Sequence, residues 1–337
     1  MTLYCAIDLH SNNSVVVVID DQDRIVFQKR VANDLTLVVS HLAPFKDELH
    51  AVAVESTFNW YWLVDGLMEA GHRTLLVNPC AVQQYQGLKQ TDDHSDAFWL
   101  AHLMRLKLLP LGYIYPATER PLRDLLRKRL QLVRMRVTHM LSAQNQLWRS
   151  TGMKVESKRI KQADVALCEL VSDANIQRAI RANLTVIAAL NAEIAELEVA
   201  VKTQAALRPE FRQLLTINGI GDILGLTIAL ETGDIRRFPT VGQFASYCRC
   251  VGSQRVSNGK PKGENNRKNG NAYLAWAFVE AAHSIIRHHK AAHRFYQKKR
   301  AQKNGALATK ALAHKLARAA YYVMRDKTAF ESQRLFG

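Results

Sequence analysis

Two carboxylates stand where strand-forming sequence makes a charge costly. Leu3–His10 (Leu-Tyr-Cys-Ala-Ile-Asp-Leu-His) is a short apolar strand with Asp8 inside it, and Ala51–Ser56 (Ala-Val-Ala-Val-Glu-Ser) is a strand that ends on Glu55. A buried carboxylate without a partner is strongly unfavourable, so each needs a cation, a proton or a hydrogen-bond donor. Between them, Ser14–Asp20 and Arg24–Val31 read as further strands, with Asp20–Asp23 as the hairpin turn. Helices over Leu35–Phe45 and Trp60–Ala70 and a strand over Thr74–Val77 complete the pattern. The order βββαβαβα predicts a mixed sheet flanked by helices. In such a sheet the first and fourth strands lie side by side, so Asp8 and Glu55 face one pocket.

The last helix of this series starts in Thr91-Asp-Asp-His-Ser-Asp-Ala97, with Ala97, Leu100, Ala101 and Met104 as its apolar stripe. Asp93 and Asp96 are three apart and project from one face. Acidic residues here also cap a helix and suit its dipole, which is the plainer explanation for them. Joined by Asp8 and Glu55, however, they make four converging carboxylates, too much negative charge to remain ionised without a cation. Two divalent ions would neutralise the set and suit in-line attack at a phosphodiester. This is the layout of the ribonuclease-H-like fold.

The rest of the chain is basic. The formal net charge of +16 divides into −5 for residues 1–112, +6 for 113–205 and +15 for 206–337. An acidic first part and a strongly basic remainder suggest metal chemistry at one end and polyanion binding at the other. Three domains are expected with those boundaries. No apolar run is long enough to span a bilayer and no signal-like core opens the chain, so a cytoplasmic protein is expected. The five cysteines are scattered and odd in number, which argues against a disulfide framework, and Cys248-x-Cys250 lacks a second pair of zinc ligands.

In the middle segment, Leu126, Leu130, Val133, Val137, Met140, Gln144 and Leu147 recur at heptad-like spacing, and a second seam runs through Ile180, Ile187, Leu190, Ile194, Leu197 and Val201. Two such helices form an antiparallel hairpin or an intermolecular coiled coil. Arg120, Arg123, Arg127, Lys128, Arg129, Arg134 and Arg136 fall on the outer face, either to hold a phosphate backbone or merely to be solvated. Arg123, Arg127 and Lys128 are the nucleic-acid contacts expected here.

In the last segment, Leu214–Gly225 has the form of a helix-hairpin-helix. Its Gly219-Ile-Gly221 turn would offer backbone N–H groups to a phosphate; a plain helix–helix turn has the same appearance. Residues 249–271 are rich in Gly, Asn and Lys and read as a loop, with Arg255, Lys260, Lys262, Arg267 and Lys268 as candidate nucleic-acid contacts. Ser257 lies in Arg255-Val-Ser-Asn-Gly259; a serine beside a guanidinium can attack a phosphate, though most serines in polar loops form turns. Helices over Tyr273–His288 and about Leu307–Arg325 close the chain, joined by a basic turn over His293–Asn304. The histidines at 283, 288, 289 and 293 read as a solvated cluster.

Asp8 in Ala-Ile-Asp-Leu-His, Glu55 in Ala-Val-Glu-Ser-Thr and Asp-His-Ser-Asp-Ala at 93–97 resemble the catalytic Asp-Glu-Asp-Asp set of the DEDD insertion-sequence transposases of the IS110 type, relatives of the Piv-type invertases whose first domain resembles the RuvC junction resolvase. The family run Lys-Thr-Asp-x-x-Asp-Ala is here one residue longer. Spacing back from Ala97 selects Asp93, and adjacency to Thr91 selects Asp92. The family's essential serine, in a Ser-Gly pair, corresponds to Ser257, although Asn258 intervenes before Gly259 and Ser253 is a rival. The resemblance covers nearly the whole chain. It implies an enzyme that recombines double-stranded DNA: a RuvC-like domain, a coiled coil and a mainly helical transposase domain. Mg²⁺ would be held by Asp8, Glu55, Asp93 and Asp96, and Ser257 would form a covalent bond to DNA. It further implies a homo-oligomer, dimer to tetramer, whose sites combine different protomers, and a bridge RNA that guides target choice.

Overall fold

β1 (Leu3–Leu9) is the centre of a five-stranded sheet in the computed structural model of the chain. The structure describes residues 1–82, 93–205, 209–252, 254–264 and 269–336, in two units, Met1–Thr118 and Glu119–Gly337. In the first unit β1 pairs antiparallel with β2 (Asn13–Ile19), and β2 antiparallel with β3 (Ile25–Ala32). α1 (Leu35–Leu42) and a 3₁₀ turn lead to β4 (Leu49–Glu55), which lies parallel to β1. α2 (Tyr61–Glu69) then leads to β5 (Thr74–Val77), parallel to β4. The strand order β3-β2-β1-β4-β5 is the mixed sheet expected from the sequence. One helical turn, α3 (Pro79–Val82), follows, and then α4 (Asp93–Arg105).

The two faces of the sheet follow the period-2 alternation of its strands. Cys5, Ile7 and Leu9 pack on α1 and α2, together with Val38, Leu42, Leu63 and Leu67. Ala6, Val15, Val17 and Ala53 pack instead on Ala97, Leu100, Ala101 and Met104 of α4. The small residues Ala6, Ala53, Ala97 and Ala101 let α4 approach the sheet closely. Its C-terminal end is fastened as well: Asp23, in the β2–β3 turn with φ 61°, accepts from Nδ1 of His102 at 2.9 Å and Nε of Arg105 at 2.7 Å.

The second unit begins with α5 (Arg120–Thr151), which Gly152 ends in a left-handed conformation. After α6 (Ser157–Lys161), α7 (Ala174–Ala205) returns along it. Arg129 bonds Glu198, Arg136 bonds Asn191 and His139 bonds Asn183, so the two helices run antiparallel within one chain. Leu126, Leu130 and Leu147 are buried in or beside this seam, as their spacing predicts, but Val137 is exposed. Arg120 and Arg123, expected on the solvated face, are buried. The reason for Arg123 is Glu231, a carboxylate only 2% exposed that accepts from Arg123, Arg127 and the side chain of Asn271. Burial alone would raise the pKa of Glu231; the two guanidinium groups and Asn271 outweigh it and hold the pKa below the usual glutamate range.

α8 (Pro209–Leu214) and α9 (Asp222–Thr232) flank the glycine turn, and α10 (Val241–Tyr247) precedes the segment expected to be a loop. That segment contains a β-hairpin, β6 (Gln254–Ser257) and β7 (Lys260–Glu264). Asn258 and Gly259 form its two-residue turn with φ 51° and 71°, the positive pair of a type I′ turn. α11 (Ala272–His288), α12 (Lys290–Gln302), α13 (Gly305–Asp326) and α14 (Ser332–Phe336) complete the unit. The basic stretch 293–304, expected as a turn, lies mostly in α12: His289 caps the helix by accepting from the N–H of Ala292. Among the described residues no helix is long and apolar enough to cross a membrane.

Gly219 and Gly221 differ in kind. Gly219 has φ 93°, and a Cβ there would lie 2.7 Å from the carbonyl oxygen of Ala281 on α11; a Cβ on Gly221 meets nothing within 4 Å. Gly219→Ala is therefore expected to destabilise the protein by more than about 1 kcal/mol, a clear fall in Tm, while Gly221→Ala leaves Tm nearly unchanged. Thermal melts of the two variants check this.

Candidate metal centre

The β1–β4 register sets the site. Ile7 lies opposite Val54, so the next residues along, Asp8 and Glu55, are neighbours on the face that α4 covers. Both carboxyl groups are bonded to each other. Asp8 is 4% exposed. Asp93 and Asp96, in the first turn of α4, add their charges: Asp93 acts on Asp8 and Asp96 on Glu55. Of the four carboxylates singled out in the sequence, Asp8 and Glu55 are thus in contact, Asp93 lies toward Asp8, and Asp96 acts on Glu55.

Burial pushes the Glu55 carboxyl up to about 7, helped by its bond to Asp8 and the charges of Asp8 and Asp96. Burial also raises Asp8, though the bond from Glu55 and the nearby cationic groups pull the other way. The pair therefore retains a proton that an isolated carboxylate would release, the behaviour of crowded acids short of positive charge.

Two side chains not anticipated from the sequence complete the arrangement. His10 Nε2 lies 3.2 Å from Asp8 Oδ2 and 3.4 Å from Asp93 Oδ2, yet is aligned for a hydrogen bond with neither. Arg30 donates to Asp93 Oδ2 at 2.6 Å through Nη2 and to Asn13 Oδ1 through Nη1. Both were legible in retrospect: His10 follows Asp8 by two on one strand face, and Arg30 sits opposite Val15 across the hairpin. The end of β1 is held by its backbone, since the His10 carbonyl accepts from both Asn33 and Asn59.

Ligand atoms of Asp8, His10 and Asp93 lie within 4.8 Å of one another. Hard carboxylate oxygens, a buried imidazole nitrogen without a hydrogen bond and a proton forced onto Glu55 are the features of a site suited to a divalent cation. Asp92, the alternative to Asp93, lies outside the described residues, as do Ser253, Arg267 and Lys268; the Arg255 side chain is likewise not described.

The remaining candidates lie in the second unit. Ser257 is the last residue of β6, exposed and paired with Lys260, and Lys260 and Lys262 are exposed beside it. The neck of this hairpin is closed by Arg249, which donates to the carbonyls of Asn269 and Gly270, and by the N–H of Asn271 bonding the Tyr247 carbonyl. Arg127 spans Glu231 and the face of Tyr273, 4.4 Å from the ring centre, while Lys128 is exposed.

A five-stranded mixed sheet with acidic residues on adjacent central strands and on the covering helix is consistent with a ribonuclease-H-like nucleic-acid enzyme. Comparison with known families goes further. Residues 5–150 match the DEDD transposase domain of the IS110 type, and residues 211–297 match the transposase IS116/IS110/IS902 family. No curated protein matches the chain. The chain belongs to the IS110-type DEDD transposases and is a DNA transposase.

The raised Glu55 carboxyl sets a pH dependence. A folded-state pKa of about 7 against an ordinary 4.5 stabilises the fold below about pH 4.5, and that contribution is lost as pH rises through about 7. In metal-free protein, Tm of the wild type relative to Glu55→Gln is expected to fall across this window. Mg²⁺ added above pH 7 should recover it for the wild type and not for the variant. Calorimetric scans at stepped pH check both.

Proposed function

We propose that this transposase cleaves and exchanges DNA strands with Ser257 as nucleophile and with Mg²⁺ held by Asp8, Glu55, Asp93 and Asp96. The observation that supports the reading is the grouping of Asp8, His10 and Asp93 ligand atoms within 4.8 Å of one another, with Glu55 hydrogen-bonded to Asp8 and the charge of Asp96 acting on Glu55. Bound there, the ion supplies positive charge to the phosphate under attack. The chain's own groups do the rest. Arg30 holds Asp93 in place, and the sheet register holds Asp8 against Glu55. The Ser257 hydroxyl loses its proton, its oxygen bonds to phosphorus, and the bond from phosphorus to one deoxyribose oxygen breaks, that oxygen leaving as a hydroxyl. The phosphodiester energy is retained in the serine ester, so a second strand's hydroxyl can reverse the step on a new partner.

The type I′ turn supports this reading, because it places Ser257 at an exposed tip between Val256 and two lysines rather than in a packed loop. Lys128, Arg127, Lys260, Lys262 and the open backbone at Gly221 are proposed contacts to phosphates. So are Arg255, Arg267 and Lys268. In this reading the glycine turn acts as a helix-hairpin-helix and the α5–α7 pair as a coiled coil joining protomers, up to a tetramer. The basic second unit also takes the element's bridge RNA. The organisation is proposed as residues 1–112 for the carboxylate domain, 113–205 for the helical segment and 206–337 for the serine domain.

Incubation with DNA carrying the element junction, its non-coding RNA and Mg²⁺, followed by denaturing electrophoresis, tests the chemistry. A protein–DNA adduct is expected with wild type and none with Ser257→Ala. Asp96→Asn should lower cleavage at least about 100-fold, the scale on which loss of one group stabilising the reacting phosphate is felt, while leaving nucleic-acid affinity nearly unchanged. Cleavage without an adduct in either protein would make water the nucleophile and the enzyme a resolvase-like nuclease. An adduct that survives Ser257→Ala would move the nucleophile, with Ser253 the next candidate.

A further inference from the structure

A concavity of about 510 Å³ opens on the second unit between α11 and α13, at the root of the Ser257 hairpin. It is lined on the apolar side by Val279 and Ala313, and Tyr296 of α12 supplies an aromatic wall. Arg249 and Lys310 are its cationic members, His283 adds an imidazole, and no carboxylate lines it. Among the described residues, the side chains of His283 and Lys310 make no hydrogen bond or ion pair, so their donors are available. The first turn of α13 borders the same space. Gly305 there leaves room for the Tyr296 hydroxyl, which a Cβ would approach to 3.2 Å.

The chemistry of this lining selects its ligand. A slot with apolar and aromatic walls accepts the face of a planar base, and a rim of cations with a helix N-terminus accepts a phosphate. The volume falls in the range of about 300–1,000 Å³ that holds a small ligand and exceeds what an inorganic anion needs. A purely anionic ligand would leave the apolar walls unused, and an apolar one would leave two cations facing it.

We propose that the concavity binds one unpaired nucleotide of a nucleic-acid strand, with the base against Tyr296 and Val279 and the phosphate at Lys310 and Arg249. Arg249 gives the site its consequence. It takes a left-handed backbone conformation, φ 54°, and its guanidinium closes the neck of the serine hairpin on the carbonyls of Asn269 and Gly270. A strand seated in the concavity is thereby anchored beside the root of that hairpin. The proposal rests on the transposase family of the chain and not on the assignment of Ser257, and its test reads binding alone.

Full-length protein is titrated with a short single strand carrying one fluorescent adenine analogue, with the same strand bearing an abasic site there, and with both strands as RNA. The analogue should be quenched on binding, and the abasic strand should bind about tenfold more weakly, the effect of stacking one base on an aromatic ring. Tyr296→Leu should abolish that tenfold discrimination, and Lys310→Glu should weaken both strands alike and lower the salt dependence by about one phosphate contact. Ala306→Trp, at an exposed position of the lining, should remove the quenching with the circular dichroism unchanged, which separates blocking from misfolding. A stronger response with RNA names the guide as the occupant, and a stronger response with DNA names the substrate strand; either supports the site. Equal binding of intact and abasic strands by wild type overturns the proposal, as does discrimination that persists in both Tyr296→Leu and Ala306→Trp.

Discussion

The juxtaposition of Asp8 and Glu55 is the constraint on which the first unit depends. Parallel pairing of β1 and β4 places two carboxyls together on a covered face, and burial forces them to share a proton. A sheet selected only for stability would carry apolar residues at these positions, as it does one pair earlier with Ile7 and Val54. The neighbouring elements tolerate the cost because they are secured elsewhere. Apolar packing holds α4 at Ala97 and Leu100, and Asp23 clamps its far end through His102 and Arg105. The first turn of α4, with Asp93 and Asp96, can then present charge toward the site without being responsible for its own position.

Glu231 is the contrasting case. It is equally buried, yet two arginines and one asparagine satisfy it, and its pKa is lowered rather than raised. A buried ion pair of this sort gives little net stability, but removing one member leaves a charge unpaired at a cost of about 3–5 kcal/mol. Its effect is to fix geometry: α5, α9 and the N-cap of α11 meet at one carboxylate, and Asn271 simultaneously accepts from the N–H groups of Tyr273 and Leu274. Satisfaction within the chain marks a structural carboxylate. The unbalanced set at Asp8 marks one that needs something from outside.

The sheet order, the position of α4 and the acidic site were legible because each rests on a short-period pattern: alternation in β1 and β4, and an i, i+3, i+4 stripe in α4. What escaped depends on partners distant in sequence. Arg123 has the spacing of a surface residue, yet it is buried and pairs with Glu231, 108 positions away. His10 and Arg30 join the site through strand register. The hairpin at Asn258-Gly259 was a different kind of miss. Its turn dipeptide is a strong local signal, but the flanking Gln-Arg-Val-Ser and Lys-Pro-Lys-Gly-Glu lack the apolar alternation that normally accompanies it. The stretch 293–304 misled in the same way, since a dense basic sequence reads as solvated turn while its backbone is free to form a helix.

Charge is divided between the units in a way that follows from these sites. The first carries −5 over residues 1–112; the remainder carries +21, which residues 1–112 reduce to the chain's +16. Most of the basic residues lie in the other unit, whose charge is of the sign that attracts a phosphate backbone.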